Sequence, residues 1–253
     1  MLKALIFDVD GTLADTERDG HRVAFNLAFK AAGLNWHWGV DCYGDLLAVT
    51  GGKERIRYYA QRFAPDFLAQ TNVDEIIKSL HASKTKYYVK LLSEGKIPLR
   101  PGVERILNEA RQAGLTLAIA TTTTPENVSA LIESTLGAQA MSWFACIGAG
   151  DIVPAKKPAA DIYNFVLDDL ALQPEECIVF EDSENGVLSS LGANLATIIT
   201  INDYTKTHDF SGATLVLDQF GDAENPTNVI SGSLNKSYLD LAEIIAIHEN
   251  ISS

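Results

Sequence analysis

Apolar and polar positions fall into two regimes along this chain. Lys3 to Phe7 is a short apolar run, the pattern of a fully buried strand. From Asp15 to Gly95 the apolar positions recur at helical spacing, and no segment reads as a convincing strand. Asp15 or Thr16 can cap a helix running to Gly33, with Val23, Phe25, Leu27, Ala28 and Ala32 among its apolar residues. Lys53 to Phe63 and Asp74 to Glu94 predict two more helices, and Gly33 and Gly95 stand where C-terminal glycines belong. Beyond Arg100 the period alternates. Helices are predicted over Val103–Ala113, Pro125–Leu136, Pro158–Leu170, Glu184–Leu191 and Tyr238–His248. Between them fall strands at Leu115–Ala120, Phe144–Ile147, Cys177–Phe180, Leu195–Ile201 and Thr214–Leu217. Gly221 to Lys236, rich in Asn, Ser and Gly, reads as a surface loop.

Strand alternating with helix predicts an α/β fold, a parallel sheet covered on both faces. The expected organisation is a Rossmann-like core of residues 1–15 and 96–253, with residues 16–95 inserted as a helical cap over the site. Ligands of such sheets bind beyond the carboxyl ends of the strands. Asp8, Thr121 and Asp182 each fall at such an end, so three distant segments deliver reactive groups to one edge.

The first of these ends reads Asp8-Val9-Asp10-Gly11-Thr12. In an extended chain Asp8 and Asp10 share a face. Asp8 suits a nucleophile that attacks phosphorus. Asp10 can protonate the leaving oxygen and then activate water. Hard oxygen donors favour Mg²⁺, and Asp182 can complete a site with Asp8, the carbonyl of Asp10 and Glu181. Glu181-Asp182 can equally be a helix cap before Ser183-Glu184-Asn185. Thr121 can hold phosphate oxygens or simply finish a strand, and the latter applies more strongly to Thr123 and Thr124. Lys157, before Pro158, is either a neutralising cation or a solvated lysine.

Taken in order, Asp8-Val9-Asp10-Gly11-Thr12, Thr121, Lys157-Pro158 and Glu181-Asp182-Ser183 with Gly186 resemble the four motifs of the haloacid dehalogenase (HAD) superfamily. The resemblance covers the whole chain, including the placement of the cap. It implies a HAD phosphatase with Mg²⁺. Asp8 is then the nucleophile, Asp10 the acid and base, Thr121 and Lys157 the phosphate-stabilising groups, and Asp182 a metal ligand.

In the predicted cap, Thr50-Gly51-Gly52-Lys53-Glu54-Arg55 offers open amides at a helix start together with two cations. Alone it reads equally as an anion grip or as an ordinary loop and helix. Together with Thr16-Glu17-Arg18-Asp19-Gly20-His21-Arg22, Leu99-Arg100-Pro101-Gly102 and Ala120-Thr121-Thr122-Thr123, it resembles the CbbY-type phosphatases that act on xylulose-1,5-bisphosphate. That sugar inhibits rubisco, and its hydrolysis gives xylulose 5-phosphate. The resemblance implies that Glu17 contacts sugar hydroxyls and that Gly51, Gly52, Lys53, Glu54 and Arg55 grip the distal phosphate. Thr122 and Thr123 join the substrate-binding set. Arg100 is either a helper near a hinge or a linker arginine paired with cap carboxylates. His21 either binds substrate or is a satisfied histidine.

Charge and cysteines narrow the partners. A net charge of -13 argues against nucleic acid and anionic membrane surfaces, so a phosphorylated sugar needs local cations. Three cysteines without a CxxC pair predict neither a disulfide framework nor a zinc site. No membrane-length apolar run and no leader is seen, so the expectation is a cytoplasmic monomer, or a plastid stromal one after removal of a transit peptide. Competing readings are a β-phosphoglucomutase-like mutase, a broad phosphatase for sugar phosphates or phosphoglycolate, a dehalogenase, and a catalytically silent binding protein. The last two fit poorly with Asp8, Asp10 and Glu181-Asp182 all present.

Overall fold

The computed structural model describes residues 1–251. Strand β1 (Ala4–Phe7) is followed by a π-helical turn, Glu17–His21, and by helices α1 (Arg22–Ala31), α2 (Val40–Leu46), α3 (Gly52–Phe63), α4 (Pro65–Leu68) and α5 (Val73–Ser93). Then come α6 (Val103–Gln112), β2 (Thr116–Ala120), α7 (Pro125–Leu136), β3 (Phe144–Gly148), α8 (Asp161–Leu170) and β4 (Cys177–Glu181). The chain closes with α9 (Glu184–Gly192), β5 (Ala196–Thr200), β6 (Leu215–Leu217), β7 (Val229–Ser231) and α10 (Leu241–Ile251). The sheet order is β3-β2-β1-β4-β5-β6-β7, with every pairing parallel except β6–β7. The architecture is thus α/β, a Rossmann-like sheet flanked by helices.

Alternation along the central strands feeds two cores. Leu5, Phe7, Leu117, Ile119, Ile178 and Phe180 pack on one face, and Ala4, Ile6, Ala118, Ala120 and Val179 on the other. Phe7 and Phe180 stack with ring centroids 4.6 Å apart, which locks β1 against β4. Register then decides the site. Phe7 pairs with both Ile119 and Phe180, so Asp8, Ala120 and Glu181 come out level at the sheet edge.

Between β1 and β2 no strand occurs among the described residues, as the period indicates. The helices there bury an aromatic cluster of their own, including Phe25, Phe29, Trp38 and Tyr43. Four local expectations need correction. The short helices α2 and α4 were not legible, because each is too brief for a period to emerge. Helix α8 starts at Asp161 rather than Pro158, after a turn in which the Ala159 amide donates to the Lys156 carbonyl. Neither Asp15 nor Thr16 caps the first helix; the Thr16 hydroxyl donates to Asp10 instead. The stretch 221–236 is not all loop, since Val229–Ser231 adds an antiparallel edge strand paired with β6.

Candidate active site

Strand β1 ends at Phe7, so Asp8 and Asp10 lie in the turn beyond it rather than on one strand face. They consequently meet different neighbours. Lys157 Nζ donates to Asp8 Oδ1 at 2.7 Å, to the Ala120 carbonyl at 2.9 Å and to Glu181 Oε1 at 2.5 Å. An ammonium has three donors, and all are used. Glu181 also accepts from the Tyr163 hydroxyl at 2.5 Å. Its other oxygen accepts from the Asp182 amide at 3.2 Å. Asp8, Glu181 and Asp182 are buried, each with a carboxylate oxygen within 4.8 Å of the others.

Three buried carboxylates beside one ammonium leave the group short of two positive charges, which is costly away from water. Burial accordingly pushes Asp8 up to about 8, against the pull of Lys157. Burial, with the charges of Asp8 and Glu181, lifts Asp182 well above the usual carboxylate range. A donor set made only of carboxylate oxygens suits a hard divalent cation. Two glycines keep the cradle open. A Cβ on Gly11 would stand 2.2 Å from Asp182 Oδ2, and one on Gly186 would stand 1.9 Å from Glu181 Oε2. Ser183, not Glu181 or Asp182, caps α9 by accepting from the Gly186 amide at 3.2 Å, which leaves both carboxylates for the site.

Asp10 stands apart from this cluster, and its side chain is not among the carboxylates that could hold a metal. This leaves only its backbone carbonyl for a metal, as the sequence reading expects, because Asp10 Oδ1 is taken by the Thr16 hydroxyl and by His21 Nε2 at 2.8 Å. Burial raises its pKa, but the hydrogen bonds from His21 and Thr16, with the charge of Lys84, outweigh that and hold it below the ordinary range. Lys84 Nζ lies 2.9 Å from His21 Nδ1. A lysine ammonium only donates, so Nδ1 accepts and Nε2 carries the proton that faces Asp10. Burial lowers Lys84 to about 8, against the pull of Asp10 and Glu17. His21 is thus a satisfied buried histidine that sets Asp10 while lining the neighbouring space.

Two cavities meet here. One of about 310 Å³ is lined by Asp8, Asp10, Glu17, Arg55, Thr121, Thr122, Lys157, Glu181 and Asp182. The second, of about 510 Å³, shares Asp10, Glu17, Arg55 and Thr122 and adds His21, Gly51, Gly52, Lys53, Lys84, Thr123 and Lys156. Arg55 is buried, donating to the Tyr43 hydroxyl at 2.9 Å and the Leu46 carbonyl at 3.2 Å, with Glu17 at 3.8 Å. Tyr43 donates in turn to Glu17. Lys53 pairs with Asp151, and Glu54 lies 3.3 Å from Lys156, outside both cavities. The Thr121 hydroxyl accepts from the Thr123 amide at 3.3 Å, and Thr123 accepts from Asn127 at 2.8 Å.

Arg100 lines neither cavity. It is buried, and its two terminal nitrogens donate to the carbonyls of Gly11, Ile201 and Asp218, with Asp15 at 3.2 Å. It clamps the turn beneath the site. Two contributors escaped the sequence reading. Lys84 shares the buried stripe of α5 with Ile77, Leu80 and Tyr88, a spacing at which a lysine was the signal. Asn202 follows the end of β5, at the same sheet edge as the other site residues.

The pattern of the haloacid dehalogenase-like hydrolases matches residues 2–194, and the chain belongs to that family. It is an enzyme of the phosphatase kind within it. The CbbY protein of Cupriavidus necator is 44% identical over 248 residues, covering 98% of this chain and 97% of the relative. A crystal structure of CbbY from Rhodobacter sphaeroides with phosphate is 42% identical, with a TM-score of 0.81 over 88% of this chain and 96% of that one. A mutant of that protein in complex with xylulose-1,5-bisphosphate is 41% identical, with a TM-score of 0.79 over the same shares.

Proposed function

We propose that this protein is a Mg²⁺-dependent phosphatase that converts xylulose-1,5-bisphosphate to xylulose 5-phosphate through a phosphorylated Asp8. The observation that carries this reading is the pair of joined cavities. One holds Asp8, Lys157 and the acidic cluster. The other is lined by Lys53, Arg55, Lys84 and Lys156. A ligand with two phosphates needs two anion sites at a fixed separation, and Glu17 sits where both cavities meet to accept from sugar hydroxyls. The ligand held by the Rhodobacter sphaeroides CbbY mutant is of this type.

Asp8, Glu181 and Asp182 would hold Mg²⁺, which supplies the missing positive charge at the transferring phosphate. Lys157, fixed by its three acceptors, neutralises the same phosphate from the other side. Asp8 Oδ attacks phosphorus and the phosphorus–sugar oxygen bond breaks. Asp10, oriented by Thr16 and His21, which hold it ionised in the free site, takes up a proton with the substrate and gives it to the leaving oxygen. It then takes a proton from the water that attacks phosphorus, releasing phosphate and restoring Asp8. Helices α1 to α5 act as a cap that excludes stray water, residues 16–95 forming a unit set on the core of 1–15 and 96–253.

Phosphate release with Mg²⁺ across xylulose-1,5-bisphosphate, ribulose-1,5-bisphosphate, phosphoglycolate and β-glucose 1-phosphate tests the reading. Strong preference for the xylulose bisphosphate, lost in Asp8→Asn, is expected. Weak release from all four, or conversion of β-glucose 1-phosphate without phosphate release, overturns the substrate assignment.

A further inference from the structure

The loop after β5 touches the acidic cluster with one residue and the helices with the next two. Asn202 Nδ2 donates to Asp182 Oδ2 at 2.6 Å. No other hydrogen bond reaches that carboxylate among the described residues. The amide oxygen of Asn202 accepts from the Tyr204 amide at 2.9 Å, and its own backbone amide donates to Thr205 Oγ1 at 2.9 Å. The side chain is therefore held at both ends, and its nitrogen is fixed toward Asp182. On the far side, the Tyr204 ring stands edge-on to Tyr43, with centroids 6.1 Å apart, and a Cβ on Gly44 would come within 3.1 Å of it. Asp203 pairs with Arg18 at 3.0 Å. Tyr43 is the residue that donates to Glu17 and accepts from Arg55. One line of contacts thus runs from Asp182 through Asn202, Tyr204 and Tyr43 to the groups at the meeting of the two cavities.

We propose that Asn202 is a positioning residue for the cation-holding carboxylate of Asp182, and that Tyr204 makes this positioning depend on how helix α2 docks. The inference rests on the cation reading of Asp8, Glu181 and Asp182. Groups that orient a metal ligand from behind set its geometry, and their loss weakens metal binding without removing a ligand. Because Asn202 and Tyr204 share a hydrogen bond, a shift of α2 moves the donor that Asp182 relies on. By reciprocity, whatever docking does for cation affinity, the cation does for docking.

The test uses full-length protein free of phosphate and Mg²⁺ alone as the probe. Calorimetric titration of Asn202→Ala is expected to show a Kd raised about 10-fold or more. Tyr204→Leu is expected to raise it about 5-fold although it lies outside the acidic cluster. Tyr204→Phe, which keeps the ring, restores the wild-type value. Hydrogen exchange supplies the readout that a merely structural role would not move: Mg²⁺ slows exchange across Val40–Leu46 in the wild type and not in Tyr204→Leu. Unchanged Kd values in folded variants, or exchange across α2 indifferent to Mg²⁺, overturn the proposal. The wild-type exchange measurement needs no substitution, so it decides even where a variant fails to fold. A wild-type protein that takes up no Mg²⁺ instead removes the cation reading beneath it.

Discussion

Gly11 shows how closely a single residue constrains this site. Its φ is +89°, a conformation that L side chains rarely adopt. A Cβ there would meet both Asp182 Oδ2 and, at 2.6 Å, Asn202 Nδ2. Gly11→Ala is expected to cost about 1–3 kcal/mol of stability from backbone strain. It should also weaken Mg²⁺ uptake, by parting Asp182 from Asn202. Denaturant melts and calorimetric titration check the two effects separately. Lys84 gives a pH signature. Burial lowers its pKa from 10.5 to about 8, so between these values the folded chain binds fewer protons than the unfolded one. Its cost to stability is therefore full below about 8 and is relieved as pH rises toward 10.5. Denaturant melts across that range should show this rise, flattened in Lys84→Met, and an NMR titration of the labelled lysine should find the midpoint near 8.

At the scale of elements, α3 and the segment after β3 are joined by charges at their surfaces. Asp151 takes Lys53 on one side and Lys156 at 3.0 Å on the other, while Lys156 also reaches Glu54. Hydrogen bonds from Lys53 and Lys156 lower Asp151 to about 2. That carboxylate is more than half exposed, so solvent screens most of the attraction. Asp151→Asn is expected to change global stability by less than about 1 kcal/mol, measured by chemical denaturation. Buried Arg100 is the contrast. Its carbonyl acceptors come from three segments, so its loss would leave all three without that donor.

At the scale of the molecule, the charge deficit at the sheet edge couples cation binding to folding. A cation that binds only the native state stabilises it by mass action, about 2.7 kcal/mol at a hundred times its Kd. Thermal melts with Mg²⁺ and after chelation should therefore separate, and coincident melts would count against a cation site in this cluster. The described helices include none long and apolar enough to cross a membrane.

The sequence by itself determined the α/β class, because helical and strand periods are local and the buried strands are continuous apolar runs. It also pointed to most residues of the candidate site, because the sheet rule assigns chemistry to strand ends: Asp8, Thr121, Glu181 and Asp182 all fall there and line one cavity. The roles within that site were decided by tertiary structure. Register set Asp8 level with Glu181, so that one lysine could span them. The turn after β1 sent the Asp10 side chain toward Thr16 and His21 and away from the acidic cluster. Arg100 read in sequence as either a helper near a hinge or a linker residue, and Lys84 only as part of a predicted helix. Their burial, and hence their work as a clamp and as a partner of His21, comes from segments up to 118 positions away. Periodicity reports which way a side chain faces along its own element, whereas what it meets there depends on chain packing that no local pattern encodes.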